Sequence, residues 1–292
     1  MPETDCKGKN IMAYSPIVTL IDGGVKISGL QNFSLADTLD CGQAFRWKQE
    51  SENGVWTCVV GQKFVRVAQT EPDGFTILGA SQKDYDEMWS RYFDIRRDYG
   101  AIIKEISTDE TLRKAAEHSG GIRVLRQAPW ETLCSFIISQ NNNIPRIKGI
   151  IERLCENFGE RIAGGYTFPS AEVLANKTVE DLAPLRSGFR AKYIIDAAQK
   201  VADGEVDFDL IDSENIDAAR QELLKIKGVG AKVADCTLLF GFGKIEAFPH
   251  DVWIKRAMQV LFDGELPAAA VPYAGIVQQM IFNYARQTKL KI

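Results

Sequence analysis

The chain has 292 residues, 45% of them hydrophobic and 25% charged, with 35 Lys and Arg against 39 Asp and Glu for a net charge of −4. That composition suits one or two globular domains and excludes wholesale disorder, and no apolar run approaches the roughly 18 residues that span a bilayer. Two histidines and six cysteines without a C-x-x-C exclude a His-rich metal site, a zinc ribbon and a C-terminal iron–sulfur cluster.

The start, Met-Pro-Glu-Thr-Asp-Cys-Lys, lacks an apolar export segment, which implies an internal compartment and reduced thiols. In the first third, residues 17–21 and 25–28 flank a Gly-Gly turn, 45–48 alternate, 55–60 and 64–68 flank Gly61-Gln62, and 75–78 follow Asp73-Gly74. Short alternating runs separated by turn residues predict an antiparallel sheet. From Ser81 the period becomes helical through Tyr85, Met88, Trp89, Tyr92 and Phe93, behind a Ser81/Asp84 capping pattern.

After about Thr108 the pattern is helical throughout. Helices are expected from Pro129, over 146–158, 190–202, 218–226, 231–242, 252–262 and 268–286. The fold class is therefore α+β, with a sheet-containing N-terminal domain (1–125) followed by a mostly helical domain (126–292). Charge is uneven. Residues 203–217 hold seven acids and no base, and the last 72 residues carry nine Lys and Arg against six acids. A locally positive face on an acidic chain remains compatible with a nucleic-acid partner.

Leu223 to Cys236 reads as two amphipathic helices joined by Gly228-Val229-Gly230. Glycines there permit positive φ and leave N–H groups uncovered at a helix start, an anion site that suits a DNA phosphate. A tight helix–helix turn explains the same motif, and Gly-x-Gly alone favours that. Phe248-Pro249-His250-Asp251-Val252 then places an acid before another apolar-periodic helix, nineteen positions after Lys232. As a lone residue Asp251 reads as an N-cap, and Lys232 as a solvated lysine.

The Lys232/Asp251 pair resembles the helix–hairpin–helix DNA glycosylase superfamily. Breaking an N-glycosidic bond builds positive charge on the sugar, which a carboxylate stabilises. An amine can then attack C1′ and form a Schiff base. The first turn of a helix disfavours a cation and suits that amine.

Four segments narrow the resemblance to the 8-oxoguanine DNA glycosylase/lyase family, over about Phe33 to Arg286. In Cys41-Gly42-Gln43-Ala44-Phe45-Arg46-Trp47, the resemblance implies that the Gly42 carbonyl accepts the N7–H found only in the oxidised base. In Pro272 to Phe282, it implies that Gln278 reads the base edge and Phe282 stacks on the base, with Cys236 on the other side. In Gln140-Asn141-Asn142-Asn143-Ile144-Pro145-Arg146, it implies that Asn141 and Arg146 contact the cytosine opposite the lesion; a helix–helix turn capped by Asn143 is the structural alternative. In Ser187-Gly188-Phe189-Arg190, it implies a second cytosine-reading arginine, Arg190, beside an aromatic wedge, Phe189. Trp253 and Pro145 depart from the family pattern.

The implied activity is excision of 8-oxoguanine opposite cytosine, followed by β-elimination through Lys232. The implied partner is double-stranded DNA containing oxidised guanine, bound by a monomer with no membrane role, in the cytoplasm of a bacterium or the nucleus of a eukaryote. No catalytic metal is implied; a monovalent or calcium ion at the hairpin carbonyls is. The alternatives are a related glycosylase with another damaged-base preference, and a non-catalytic helix–hairpin–helix DNA-binding module.

Overall fold

The computed structural model describes residues 14–50 and 54–288. The N-terminal segment on which the compartment expectation rests, with Cys6, lies outside the described residues.

Six strands form one antiparallel sheet in the order β1-β2-β6-β5-β4-β3: β1 Ile17–Ile21, β2 Gly24–Ser28, β3 Lys48–Gln49, β4 Val55–Val60, β5 Lys63–Glu71 and β6 Gly74–Leu78. Alternation buries one face. Val25, Ile27, Val67, Phe75 and Ile77 are fully buried and pack against Trp47, Trp89, Tyr92 and Phe93. The aromatic residues come from a helical run begun by the expected Ser81/Asp84 capping box, with a π turn over Tyr85–Trp89. Stabilisation of roughly 1.5–3 kcal/mol per buried large side chain makes this cluster the main support of the sheet.

Residues 45–48 do not form the expected strand; only Lys48–Gln49 pairs, with β4. Their alternation has another cause. Phe45 faces the helical core and Trp47 the sheet core, so the segment straddles two apolar clusters. The helical part also contains a two-stranded ladder, Arg161–Ile162 with Gly165–Tyr166, which the helical pattern did not reveal.

The cores do not part at residue 125. Tyr99, Ile102, Ile106, Leu112 and Ala116 belong to the helical core, whereas Leu125 belongs to the sheet core. The Glu110–Ser119 helix packs on the C-terminal Ala274–Gln287 helix. The chain thus crosses between the two cores several times, and the Gly42 segment lies at their seam. Among the described residues no helix is long and apolar enough to cross a membrane.

Candidate active site at the seam of the two cores

The hairpin joins the Ile216–Leu224 helix to the Ala231–Thr237 helix. Its glycines do different things. Gly228 has φ +79°, and a Cβ there would meet the Tyr193 ring at 2.5 Å, so the turn needs glycine both conformationally and sterically. Gly230 is extended, with φ −105°, and serves as N-cap without a side-chain cap. No atom lies within 4 Å of a Cβ built on it, so the helix start is open above it. The Val229 N–H is not uncovered as expected, because it donates to the Ile226 carbonyl (3.1 Å). Lys225 and Lys227 are also engaged, with Glu222 (2.7 Å) and Asp196 (3.3 Å).

The open end of the hairpin is therefore Gly230 and the first turn after it, which is where an anion could approach. A Cβ at Gly230 would occupy that approach without disturbing a neighbour. Gly230→Ala is expected to melt within a degree or two of the parent while weakening duplex DNA binding about 3- to 10-fold, the scale of one lost hydrogen bond. Fluorescence anisotropy titrations across a salt series check this. Unchanged affinity would remove the hairpin from the interface.

Lys232 is the second residue of the helix that follows. Its Nζ donates to Ser139 Oγ (3.3 Å) and lies 4.8 Å from the centroid of the Phe136 ring. Asp251 caps the Val252–Phe262 helix, its carboxylate accepting the Ile254 N–H at 2.7 Å. The cap fixes where the carboxylate points. Both residues line one cavity of 460 Å³, together with Gly42, Asn142, Asn143, Trp253, Phe282 and Arg286. Among the described residues no ion pair joins Lys232 to Asp251, so neither charge is spent on the other. Trp253, 57% exposed, stands at the rim of this cavity.

A second, narrow cavity of 50 Å³ is lined by Cys41, Gly42, Lys232, Cys236, Gln278, Gln279 and Phe282, among others. It has room for a few water molecules only, so a larger ligand would have to displace side chains. Gly42 has φ +84°, and a Cβ there would lie 3.9 Å from Phe282 Cε1, which places its backbone beside the aromatic ring. Its carbonyl receives no donor among the described residues. Cys236 is buried, which pushes its thiol up to about 11, so it packs as a neutral group. Gln278 Nε2 donates to the Pro249 carbonyl (3.4 Å) and its Oε1 accepts from Gln279 (2.7 Å).

Sequence reasoning passed over the residue that holds Gly42 in place. Gln43, 1% exposed, donates to the carbonyls of Thr38 and Arg123 (2.8 Å each) and accepts from the Leu125 N–H (2.9 Å). Three bonds from one buried amide lock the loop across the seam. Arg46 adds an ion pair with Glu131 (3.3 Å) on the Pro129–Ser139 helix, which also carries Phe136 and Ser139. Burial pushes the Glu131 carboxyl above its usual range even against Arg46. The signal for Gln43 was its place inside the same short segment as Gly42; for Ser139 it was adjacency to the polar run at 140–143.

That polar run is a turn in which Asn141 takes φ +47° and exposes its side chain, while Asn143 caps the Ile144–Phe158 helix through the Arg146 N–H (3.0 Å). Pro145 sits in the first helical turn, where its missing N–H costs nothing, so it does not disturb the helix. Arg146 is exposed, and among the described residues its guanidinium has no partner.

Arg190 departs from the expectation that it offers its guanidinium to an orphan base. It is 2% exposed and donates to the carbonyls of Gln140 (2.8 Å), Asn141 (2.8 Å) and Ser187 (3.1 Å). The carbonyls of Gln140 and Asn141, which have no other donor among the described residues, attract it inward. Its place here is to hold the Asn141 turn. Phe189 is 50% exposed, with the Arg190 guanidinium 4.5 Å from its ring centroid and Tyr193 edge-on at 5.9 Å, as an exposed apolar plane on a fixed base.

A helical hairpin with an open N-terminus, a lysine and a capped aspartate sharing one cavity, and a sheet packed alongside define a helix–hairpin–helix base-excision repair protein. Residues 134–265 match the HhH-GPD superfamily of base excision DNA repair proteins, and residues 27–133 match the N-terminal domain of 8-oxoguanine DNA glycosylase. An N-glycosylase/DNA lyase of Saccharomyces cerevisiae is 33% identical over 251 residues, 76% of this chain and 66% of that protein. A probable N-glycosylase/DNA lyase of Methanothermobacter thermautotrophicus is 35% identical, over 72% of this chain and 77% of its own length. The structure of a Clostridium acetobutylicum 8-oxoguanine glycosylase/lyase, bound to double-stranded DNA with cytosine opposite 8-oxoguanine, superposes with a TM-score of 0.87 at 37% identity, covering 96% of this chain and 100% of that one. The chain belongs to the 8-oxoguanine DNA glycosylase/lyase family, a family of bifunctional glycosylases and lyases. It spans just under two thirds of the yeast relative's length.

Proposed function

We propose that this protein excises 8-oxoguanine from duplex DNA opposite cytosine and then cleaves the abasic strand through a Schiff base on Lys232. The observation that carries this reading is the shared cavity. A lysine amine and a carboxylate held by a helix cap face the same space, next to a narrow recess lined by Phe282.

The flipped base enters the recess between Phe282 and Cys236. The Gly42 carbonyl accepts N7–H, a donor that guanine lacks, and the glycine lets the backbone approach. Gln278 reads the Watson–Crick edge. As the bond from C1′ to the base breaks, its electron pair leaves with the base, and Asp251 stabilises the positive charge on the sugar. Lys232 Nζ bonds to C1′ and loses a proton. Ring opening gives the Schiff base, and loss of the C2′ proton expels the 3′ phosphate by β-elimination. The carbonyls of Lys227 and Val229 receive no donor among the described residues and offer oxygen ligands to a monovalent or calcium cation at the hairpin. A non-catalytic DNA-binding module would need only the hairpin.

Opposite-base choice falls on Arg146, the free guanidinium, with Asn141 accepting from the cytosine N4 amino group. Arg146 can donate to cytosine O2 and N3. Adenine keeps an acceptor at N1 but carries only C–H where cytosine has O2, so one of the arginine's two contacts is lost. Roughly 1–3 kcal/mol per mismatched contact gives about a 10- to 100-fold preference for cytosine. Single-turnover excision with cytosine or adenine opposite the lesion tests it. Arg146→Ala is expected to lose most of the preference, while Arg190→Ala slows both substrates because the Asn141 turn loosens. Equal rates on both opposite bases in the parent would overturn the proposed specificity.

A further inference from the structure

Gln279 stands beside Gln278 on the Ala274–Gln287 helix, and both side chains are 4% exposed and line the narrow recess. Their amides form a directional chain. Pro249 has only a carbonyl to offer, so Gln278 turns its NH₂ toward it (3.4 Å). That leaves the Gln278 oxygen facing Gln279, which must answer with its own NH₂ (2.7 Å). Gln279 Oε1 is thereby left pointing elsewhere, buried and without a partner. Reversing either amide would set oxygen against oxygen, so the backbone at Pro249 determines the polarity of both. A buried amide oxygen without a donor is costly in the empty site and is satisfied when a ligand brings an N–H.

We propose that Gln279 is a second base-reading residue, whose Oε1 accepts a hydrogen from the exocyclic 2-amino group of the flipped base. The inference rests on the functional reading above. In that reading N7–H goes to Gly42, and the free lone pair of Gln278 Oε1 takes N1–H. The 2-amino group is the donor that remains on the same edge. A purine lacking it leaves Gln279 unsatisfied, which is how one buried polar contact discriminates strongly.

The test compares single-turnover excision of 8-oxoguanine and of 8-oxohypoxanthine, which lacks the 2-amino group, each opposite cytosine. The parent is expected to favour 8-oxoguanine by roughly 10- to 100-fold. In Gln279→Met, close to glutamine in size, the ratio should collapse to about threefold or less, mainly through slower release of 8-oxoguanine. Gln279→Glu adds a readout independent of packing. Its carboxyl keeps an acceptor oxygen for the 2-amino group in either protonation state, so the preference for 8-oxoguanine should persist across pH, and its loss in this variant would count against the assignment. Equal rates on both lesions in the parent, or a full ratio retained in Gln279→Met, would overturn the assignment. A parent that releases neither base would instead overturn the functional reading on which it rests.

Discussion

Replacing Lys232 by glutamine is expected to abolish the covalent adduct that borohydride should trap between the protein and lesion DNA, while duplex binding persists. Glutamine is one bond shorter but keeps a polar, helix-compatible side chain at the second position of the Ala231–Thr237 helix. It has no nucleophilic amine, so no bond to C1′ forms and no imine is available for reduction. The loss should be complete within detection, since among the described residues no other lysine lines either cavity at the seam. Gel analysis of reduced reaction mixtures, with melting temperature and DNA affinity in parallel, checks the expectation. Adducts formed at the parent rate would require a different nucleophile.

Asp251→Asn separates electrostatics from architecture. Asparagine is as good an N-cap as aspartate, so its amide oxygen can still accept the Ile254 N–H and the Val252–Phe262 helix starts where it did. What disappears is the negative charge facing the cavity it shares with Lys232. Base release should slow by about 10²-fold or more, the scale of removing one electrostatic group from a transition state. Stability and lesion binding should change little. Because the amine remains, a pre-formed abasic site should still be trapped by borohydride. A single-turnover excision rate within about threefold of the parent would exclude Asp251 from charge stabilisation.

The parts legible in the sequence are those set by local spacing. The four-residue step from Gln278 to Phe282 and the Ser81 capping box follow from helix geometry and survive in the structure, while the Lys232/Asp251 pair was legible only through the family resemblance, and both residues line one cavity. The parts that were not legible depend on partners distant in sequence. Phe45 and Trp47 alternate because two cores lie on either side of them, and pairing partners for a strand do not exist there. Arg190 turns inward because Asn141 adopts a left-handed conformation and brings two carbonyls into reach. Val229 spends its N–H inside the hairpin. Gln43 and Gln279 look like interruptions of apolar segments until the carbonyls of Thr38 and Arg123 are placed near the first and the Gln278 amide oxygen, turned by Pro249, near the second.

The most direct test of the central claim is the base released. Purified protein is incubated in excess over a duplex with one 8-oxoguanine opposite cytosine, and over the same duplex with undamaged guanine, and free bases are measured by mass. The account predicts release of 8-oxoguanine, followed by strand cleavage 3′ to the abasic site, with guanine left in place. Release of guanine at a comparable rate, or none of 8-oxoguanine, would contradict it.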